Sequence, residues 1–218
     1  LVLHDASQRD AQLAEADRIA AAMAAAGGTY YVTCPVPALD DWHHPTLSDD
    51  EWSELLANLD RVAAIVAEHG LTQVVHPHLA TCIETDADFQ RFIAGCSSKF
   101  CFDTGHMTVG GVDVVRVATE NYDRIGIVHL KDVDASIAAR ERAGELTLME
   151  ATREGVFPAI GDGDVKIAEV VQALEAQGYD GWYVMETDVM LPGEPAAGEG
   201  PAQGVARSLQ YLRSLESV

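Results

Sequence analysis

Phe100-Cys101-Phe102-Asp103-Thr104-Gly105-His106 is the stretch on which the reading of this chain turns. Three consecutive apolar residues fit a short strand covered on both faces. The run ends on a carboxylate, a glycine and an imidazole. The same grammar recurs in Val74-Val75-His76-Pro77-His78, in Ile127-Val128-His129-Leu130-Lys131-Asp132 and in Tyr183-Val184-Met185-Glu186-Thr187-Asp188. His76, Asp103, His129 and Glu186 are separated by 27, 26 and 57 residues. A strand and its return helix take roughly 30 residues in a (β/α)₈ barrel, where functional groups sit at the C-terminal strand ends. One ligand-type side chain per repeat, always at the same rim, is what a shared metal site requires.

Outward from these strands the chain alternates. Gln8–Ala26 has helical periodicity and stops at Gly27-Gly28, and Thr29–Cys34 is a β-branched and aromatic strand closed by Pro35. Ser48 with Glu51 forms a capping box for a helix reaching His69-Gly70. Strand Thr72–His78 precedes helix Asp86–Ala94, and strand Lys99–Asp103 precedes helix Asp113–Glu120. Strand Gly126–Lys131 leads into a polar, Arg/Glu-rich segment from Asp134 to Ile160. Gly161-Asp162-Gly163-Asp164 then opens helix Val165–Gln177, followed by strand Trp182–Thr187, a Pro/Gly-rich stretch Leu191–Gly204 and a last helix through Leu215.

Strands alternating with helices imply parallel βαβ units. Counting the apolar Leu1-Val2-Leu3 as the end of a strand, the units number about six. Residues 1–218 are therefore expected to form one (β/α)₈ TIM-barrel domain that is incomplete at its N-terminus, lacking about two βα units. An open six-stranded sheet is the competing arrangement, and it would leave bare edges.

With 218 residues, 48% of them hydrophobic, the chain can bury one substantial core. Its formal charge of −21 repels phosphate backbones and anionic lipid, which argues against nucleic acid and membrane surfaces as partners. No apolar run reaches spanning length. Cys34, Cys82, Cys96 and Cys101 form no C-x-x-C pair, and Cys96 and Cys101 fall in or beside an apolar strand. A reduced, cytoplasmic setting fits, and self-association into a homo-oligomer is compatible with the sequence.

Two imidazoles and two carboxylates suit a divalent ion such as Mn²⁺, Co²⁺ or Mg²⁺, with Zn²⁺ or Fe²⁺ as further options. Taken singly, each residue has a plainer use. A lone histidine packs or hydrogen-bonds, and Asp103 could simply cap the next helix. His78, His106 and Lys131 lie two or three residues beyond ligand candidates, and i and i+2 share a strand face. His76/His78 and His129/Lys131 can then aim at one mouth. Lys131 would stabilise an enolate or protonate a leaving hydroxyl, or it would merely pair with Asp132 or Glu186. Glu84 is a candidate proton acceptor or a helix-start carboxylate. Trp42, with His43 and His44, could wall a polyol. The Gly161–Asp164 loop is not a G-x-G-x-x-G fingerprint, so no dinucleotide site is expected.

On His76-Pro77-His78, Phe102 through His106, His129-Leu130-Lys131-Asp132, Gly161 through Asp164 and Gly178-Tyr179-Asp180-Gly181-Trp182 through Glu186, the chain resembles the xylose-isomerase-like TIM-barrel superfamily of sugar isomerases, epimerases and dehydratases. Its inosose-dehydratase branch is the most similar. The resemblance implies a metal set of Glu, Asp, His and Glu at four strand ends. Asp103, His129 and Glu186 match the last three, while His76 stands where the first glutamate is usual. It also implies that His106 faces substrate. The ketose 3-epimerases carry a second catalytic glutamate shortly after the first ligand, and here that spacing falls on Cys82, two residues before Glu84.

The resemblance therefore implies a metal-dependent carbon–oxygen lyase that dehydrates a polyhydroxylated ketone of the keto-inositol class through an enediolate, with a small polyol or keto-sugar as its partner. The alternatives are a ketose isomerase or epimerase, cleavage of an oxidised sugar from a glycoside, and a non-catalytic barrel subunit or sugar-binding module. A DNA-repair nuclease on the same barrel is opposed by the acidic charge.

Overall fold

Capping and stripe spacing place the long helices where the pattern puts them. The computed structural model describes residues 1–191, 193–196 and 198–215, so positions 192 and 197 of the expected Pro/Gly-rich stretch lie outside the described residues. Ser48 caps helix α2 (Asp49–Glu68) through the expected reciprocal pair with Glu51. Its buried residues Trp52, Leu55, Leu59, Val62 and Val66 recur every three or four positions, so one stripe faces the core. Helix α1 (Arg9–Ala25) packs on α2 and buries the small residues Ala16 and Ala20.

The residues divide into two compact units. The first comprises Leu1–Phe102 with Asp123–Ile127, and the second Asp103–Tyr122 with the chain from Val128 on. In the first, strand β1 (Tyr30–Thr33) pairs in parallel with β2 (Thr72–Val75) from Tyr30↔Thr72 to Thr33↔Val75. Strand β2 pairs in parallel with β3 (Lys99–Asp103) at Val74↔Lys99 and Val75↔Phe100. Helix α3 (Asp86–Gly95), capped by a Thr85/Asp88 box, sends Phe89 and Phe92 inward, and the Phe89 ring meets Phe100 at 5.2 Å. Strand β4 (Ile125–Leu130) begins in this unit, and a Cβ at its Gly126 would stand 2.3 Å from the Val74 side chain.

The second unit holds helix α4 (Thr104–Val109), helix α5 (Val114–Glu120), the end of β4, helix α6 (Ala135–Arg142), helix α7 (Leu148–Glu154), helix α8 (Ile167–Ala176), strand β5 (Tyr183–Met185) and helix α9 (Pro201–Leu215). Strands β4 and β5 are parallel, with His129↔Val184 and Leu130↔Met185 in register. No helix among the described residues is long and apolar enough to cross a membrane.

Several expectations need correction. Five strands are present among the described residues, not six. Leu1–Leu3 is not a strand, although Leu1 bonds Cys34 O and Val36 N while the buried amides of Gln12 and Asn58 hold Val2 and Leu3. Strand β2 stops at Val75 rather than His78, because Pro77 has no N–H for the ladder. Strand β5 is shorter than Trp182–Thr187 at both ends. The segment from Asp134 to Ile160 contains α6 and α7, which bury only Ala138 and Ala151 from their helical spans. All four cysteines are free thiols, and burial pushes Cys34 and Cys82 up to about 12.

Candidate metal centre

Asp103 ends β3 and also caps α4. Its Oδ1 accepts the backbone N–H groups of Gly105 and His106 at 2.9 and 2.8 Å. That fixes the carboxylate, and the capping use foreseen for a lone Asp103 is real. Its Oδ2 turns to a different set of partners. It lies 3.6 Å from His129 Nδ1 and 3.5 Å from Lys131 Nζ. Asp103 and Lys131 are both fully buried.

Glu186 directly follows β5, and its N–H donates to Leu130 O at 3.0 Å, one further rung of the β4–β5 pairing. This places Glu186 Oε2 against His129 Nδ1. Asp103, His129 and Glu186 each offer one ligand-type atom, all within 4.8 Å of one another. The three reach a common point from β3, from β4 and from just beyond β5.

Lys131 is seated by its neighbours on every side. Thr104 Oγ1 donates to Lys131 O at 2.7 Å and accepts from Lys131 N at 2.9 Å, pinning the residue after β4 to the start of α4. The stem lies over Gly105, where a Cβ would be 2.5 Å from Lys131 Cγ. The glycine of the Asp-Thr-Gly-His run is there because no side chain fits. An ammonium has three donors, and Lys131 Nζ meets three acceptors: His106 Nε2 at 2.7 Å, Asp188 Oδ2 at 2.9 Å and Glu186 Oε1 at 3.0 Å. The face of Phe157 lies 5.0 Å from Nζ, and the same ring packs on His106.

Charge explains the protonation states. Burial works to lower the Lys131 pKa, but the carboxylates of Asp103, Glu186 and Asp188 outweigh it and raise it overall. Burial likewise works to raise Glu186, while the His129 hydrogen bond and the Lys131 charge hold it at about 2. The carboxylates of Asp103, Glu186 and Asp188 outnumber the single ammonium of Lys131. Oxygen and imidazole donors with that excess charge fit a divalent ion of the Mn²⁺, Co²⁺, Mg²⁺ or Zn²⁺ type.

The second unit thus brings together Asp103, His106, His129, Lys131 and Glu186. It adds Asp188, which bonds Lys131 Nζ and is not among the residues the sequence singles out. Its signal was the i+2 spacing from Glu186, the same spacing that links His129 to Lys131. Of the two acids weighed as partners of Lys131, Glu186 pairs with it at 3.0 Å and Asp132 does not. Asp132 is buried and accepts instead from the N–H groups of Val133, Gly161, Gly163 and Val165 at 2.8–3.1 Å. The Gly161–Asp164 loop is therefore a cradle for Asp132, and its amides are already engaged. A Cβ at Gly163 would stand 2.4 Å from Asp132 Oδ1.

The first unit brings together His76, His78 and Trp42. The His76 ring, buried just after β2, meets His78 edge-on at 5.3 Å, and His78 meets Trp42 at 5.7 Å. Trp42 is half exposed. Glu84 lies in the loop after β2, where burial pushes its carboxyl above the usual range. His44 pairs with Asp88 at 2.9 Å.

A family model described as xylose isomerase-like TIM barrel matches residues 1–215. Inosose dehydratase of Geobacillus thermodenitrificans is 33% identical over 172 residues, covering 78% of this chain and 56% of that protein. The rhizopine catabolism protein MocC of Rhizobium meliloti is 34% identical over 146 residues, covering 66% of the chain and 45% of the relative. The chain thus spans about half the length of the relatives it matches. Among solved structures, an L-ribulose 3-epimerase superposes with a TM-score of 0.71 at 17% identity, covering 99% of this chain and 71% of that one. The IolI protein with a bound zinc atom gives 0.71 at 11% identity, with 97% and 71% covered. At such identities these two likenesses concern the fold alone.

Proposed function

The chain belongs to the xylose isomerase-like TIM barrel family, and on that premise we propose that it serves a metal-dependent lyase dehydrating a polyhydroxylated ketone of the keto-inositol class. The observation that carries this reading is the convergence of Asp103, His129 and Glu186 within 4.8 Å beside a buried, fully hydrogen-bonded Lys131. The similarity to inosose dehydratase over most of the chain supports it.

Asp103, His129 and Glu186 are proposed as ligands, with His76 as a further ligand on its chain spacing. With a divalent ion bound, these residues would hold it where it could lend Lewis acidity to a carbonyl and its neighbouring hydroxyl, which would make the adjacent C–H more acidic. Dehydration breaks that C–H bond and one C–O bond, forms a carbon–carbon double bond and releases water. His78 is the candidate acceptor of the proton from carbon. Lys131, cationic and buried, donates to the departing hydroxyl, and His106 at its Nζ is placed to exchange that proton. The edge-on rings of Trp42, His78 and His76 are proposed to contact the polyol.

A two-base epimerisation needs carboxylates on opposite faces of one carbon. Glu84, the residue nearest that requirement in sequence, spends its Oε2 on a backbone N–H. Cys82 stands at the spacing where the ketose 3-epimerases carry their second catalytic glutamate, and this favours the lyase. The test is incubation of the purified chain with a keto-inositol and a divalent ion, read by mass spectrometry. A product lighter by one water supports the reading, an isobaric product selects an isomerase or epimerase, and no conversion overturns it. Asp103→Asn and Glu186→Gln should each abolish turnover and metal retention while leaving the fold, and full activity in either variant would refute the ligand set.

A further inference from the structure

His78 stands in a loop whose backbone one of its residues resists. Ala80 has φ of 59°, the only positive φ at a non-glycine among the described residues. An L side chain costs about 1–2 kcal/mol in that region, so other interactions must hold the turn. Three of them close it. Glu84 Oε2 accepts from Ala80 N at 2.5 Å, Thr81 Oγ1 donates to His78 O at 2.7 Å, and His78 N donates to Ile83 O at 3.0 Å.

The same turn settles which nitrogen of His78 carries the proton. Its Nδ1 lies 2.7 Å from Leu79 O. A carbonyl oxygen only accepts, so Nδ1 is the N–H and, in the neutral ring, Nε2 holds the lone pair. The orientation of Leu79 O depends on the peptide that joins Leu79 to Ala80. The amide of that peptide is the one Glu84 holds.

We propose that Glu84 is a positioning residue: its carboxylate latches the Ala80 amide, keeps the left-handed turn, and so presents His78 with Nε2 as an acceptor. This departs from the proton-acceptor role considered for Glu84 from sequence, and the turnover part of its test rests on the dehydratase reading.

The latch needs an acceptor oxygen but no basicity, which separates it from a base. Glu84→Gln keeps an oxygen for Ala80 N and should retain turnover within about 3-fold, while Glu84→Ala removes a charge-assisted hydrogen bond and should lose about 10- to 100-fold. Adding Ala80→Gly to Glu84→Ala should restore most of that loss, because glycine takes positive φ without a steric cost. Independently of turnover, hydrogen exchange at Ala80 should accelerate about 10- to 100-fold in Glu84→Ala and stay unchanged in Glu84→Gln. A Glu84→Gln variant as inactive as Glu84→Ala, with exchange unchanged in both, would make Glu84 a base and overturn the latch. Absence of turnover in the unsubstituted chain would refute the dehydratase reading, and the exchange at Ala80 would still decide the latch.

Discussion

The two units hold their functional side chains by different physics. In the second, Lys131 is fixed by charge, with three acceptors for its three donors and a third carboxylate, Asp103, at 3.5 Å. In the first, His76 and His78 are fixed by shape: ring edges against ring faces, and a strained turn held at Ala80. Removing one member of a buried charge cluster strands the others, whereas trimming a ring at the surface only loosens its neighbours. The two arms should therefore respond very differently to substitution.

The largest effect is expected on the charged arm. Lys131→Ala leaves Asp103, Glu186 and Asp188 facing one another, and should lower stability by about 3–5 kcal/mol, measured by denaturant unfolding without added metal. Turnover should vanish in the same variant. If stability is unchanged, the cluster is not held by charge. Next comes Gly105→Ala, whose Cβ would meet the Lys131 stem at 2.5 Å. A displacement of about 1 Å at a reacting group can cost about 100-fold in rate, so kcat should drop on that scale. Metal content should hold, and an unaltered kcat would remove Lys131 from the chemistry.

The ring arm should yield smaller changes. Trp42→Ala removes a half-exposed ring and should raise KM a few-fold with kcat and Tm nearly constant, and a collapse of kcat would mean that Trp42 does more than contact substrate. The smallest effect concerns His44, whose pKa is raised chiefly by its hydrogen bond to Asp88. A raised histidine stabilises the fold fully below its unfolded value, near 6.5, and loses that contribution as pH climbs through the folded value. Thermal melts should show a decline of under about 1 kcal/mol across that window. His44→Ala should flatten it, and an opposite slope would contradict the pairing.

What sequence could reveal follows the same division. Strand β3 and the Ser48/Glu51 cap were legible to the residue, because an apolar run and a capping box are local signals. The helices α6 and α7 were not, since a helix burying only one alanine has no apolar stripe to read. Helix α4, six residues long, is too short for periodicity, and Asp103 announced it only as a cap. Asp103, His129 and Glu186 could be grouped because strand ends recur at a fixed interval. Asp188 offered only its i+2 spacing from Glu186, and Asp132 required coordinates, since an acid gives no hint in sequence that it faces a ring of backbone amides.

The claim beneath the whole account is that Asp103, His129 and Glu186 jointly bind one divalent ion. Calorimetric titration of Mn²⁺ into the metal-stripped chain, beside the Glu186→Gln variant, addresses it most directly. One equivalent bound by the unsubstituted chain, with affinity lost in the variant, is the predicted result. Less than a tenth of an equivalent in the unsubstituted chain, or equal affinity in both proteins, would contradict it.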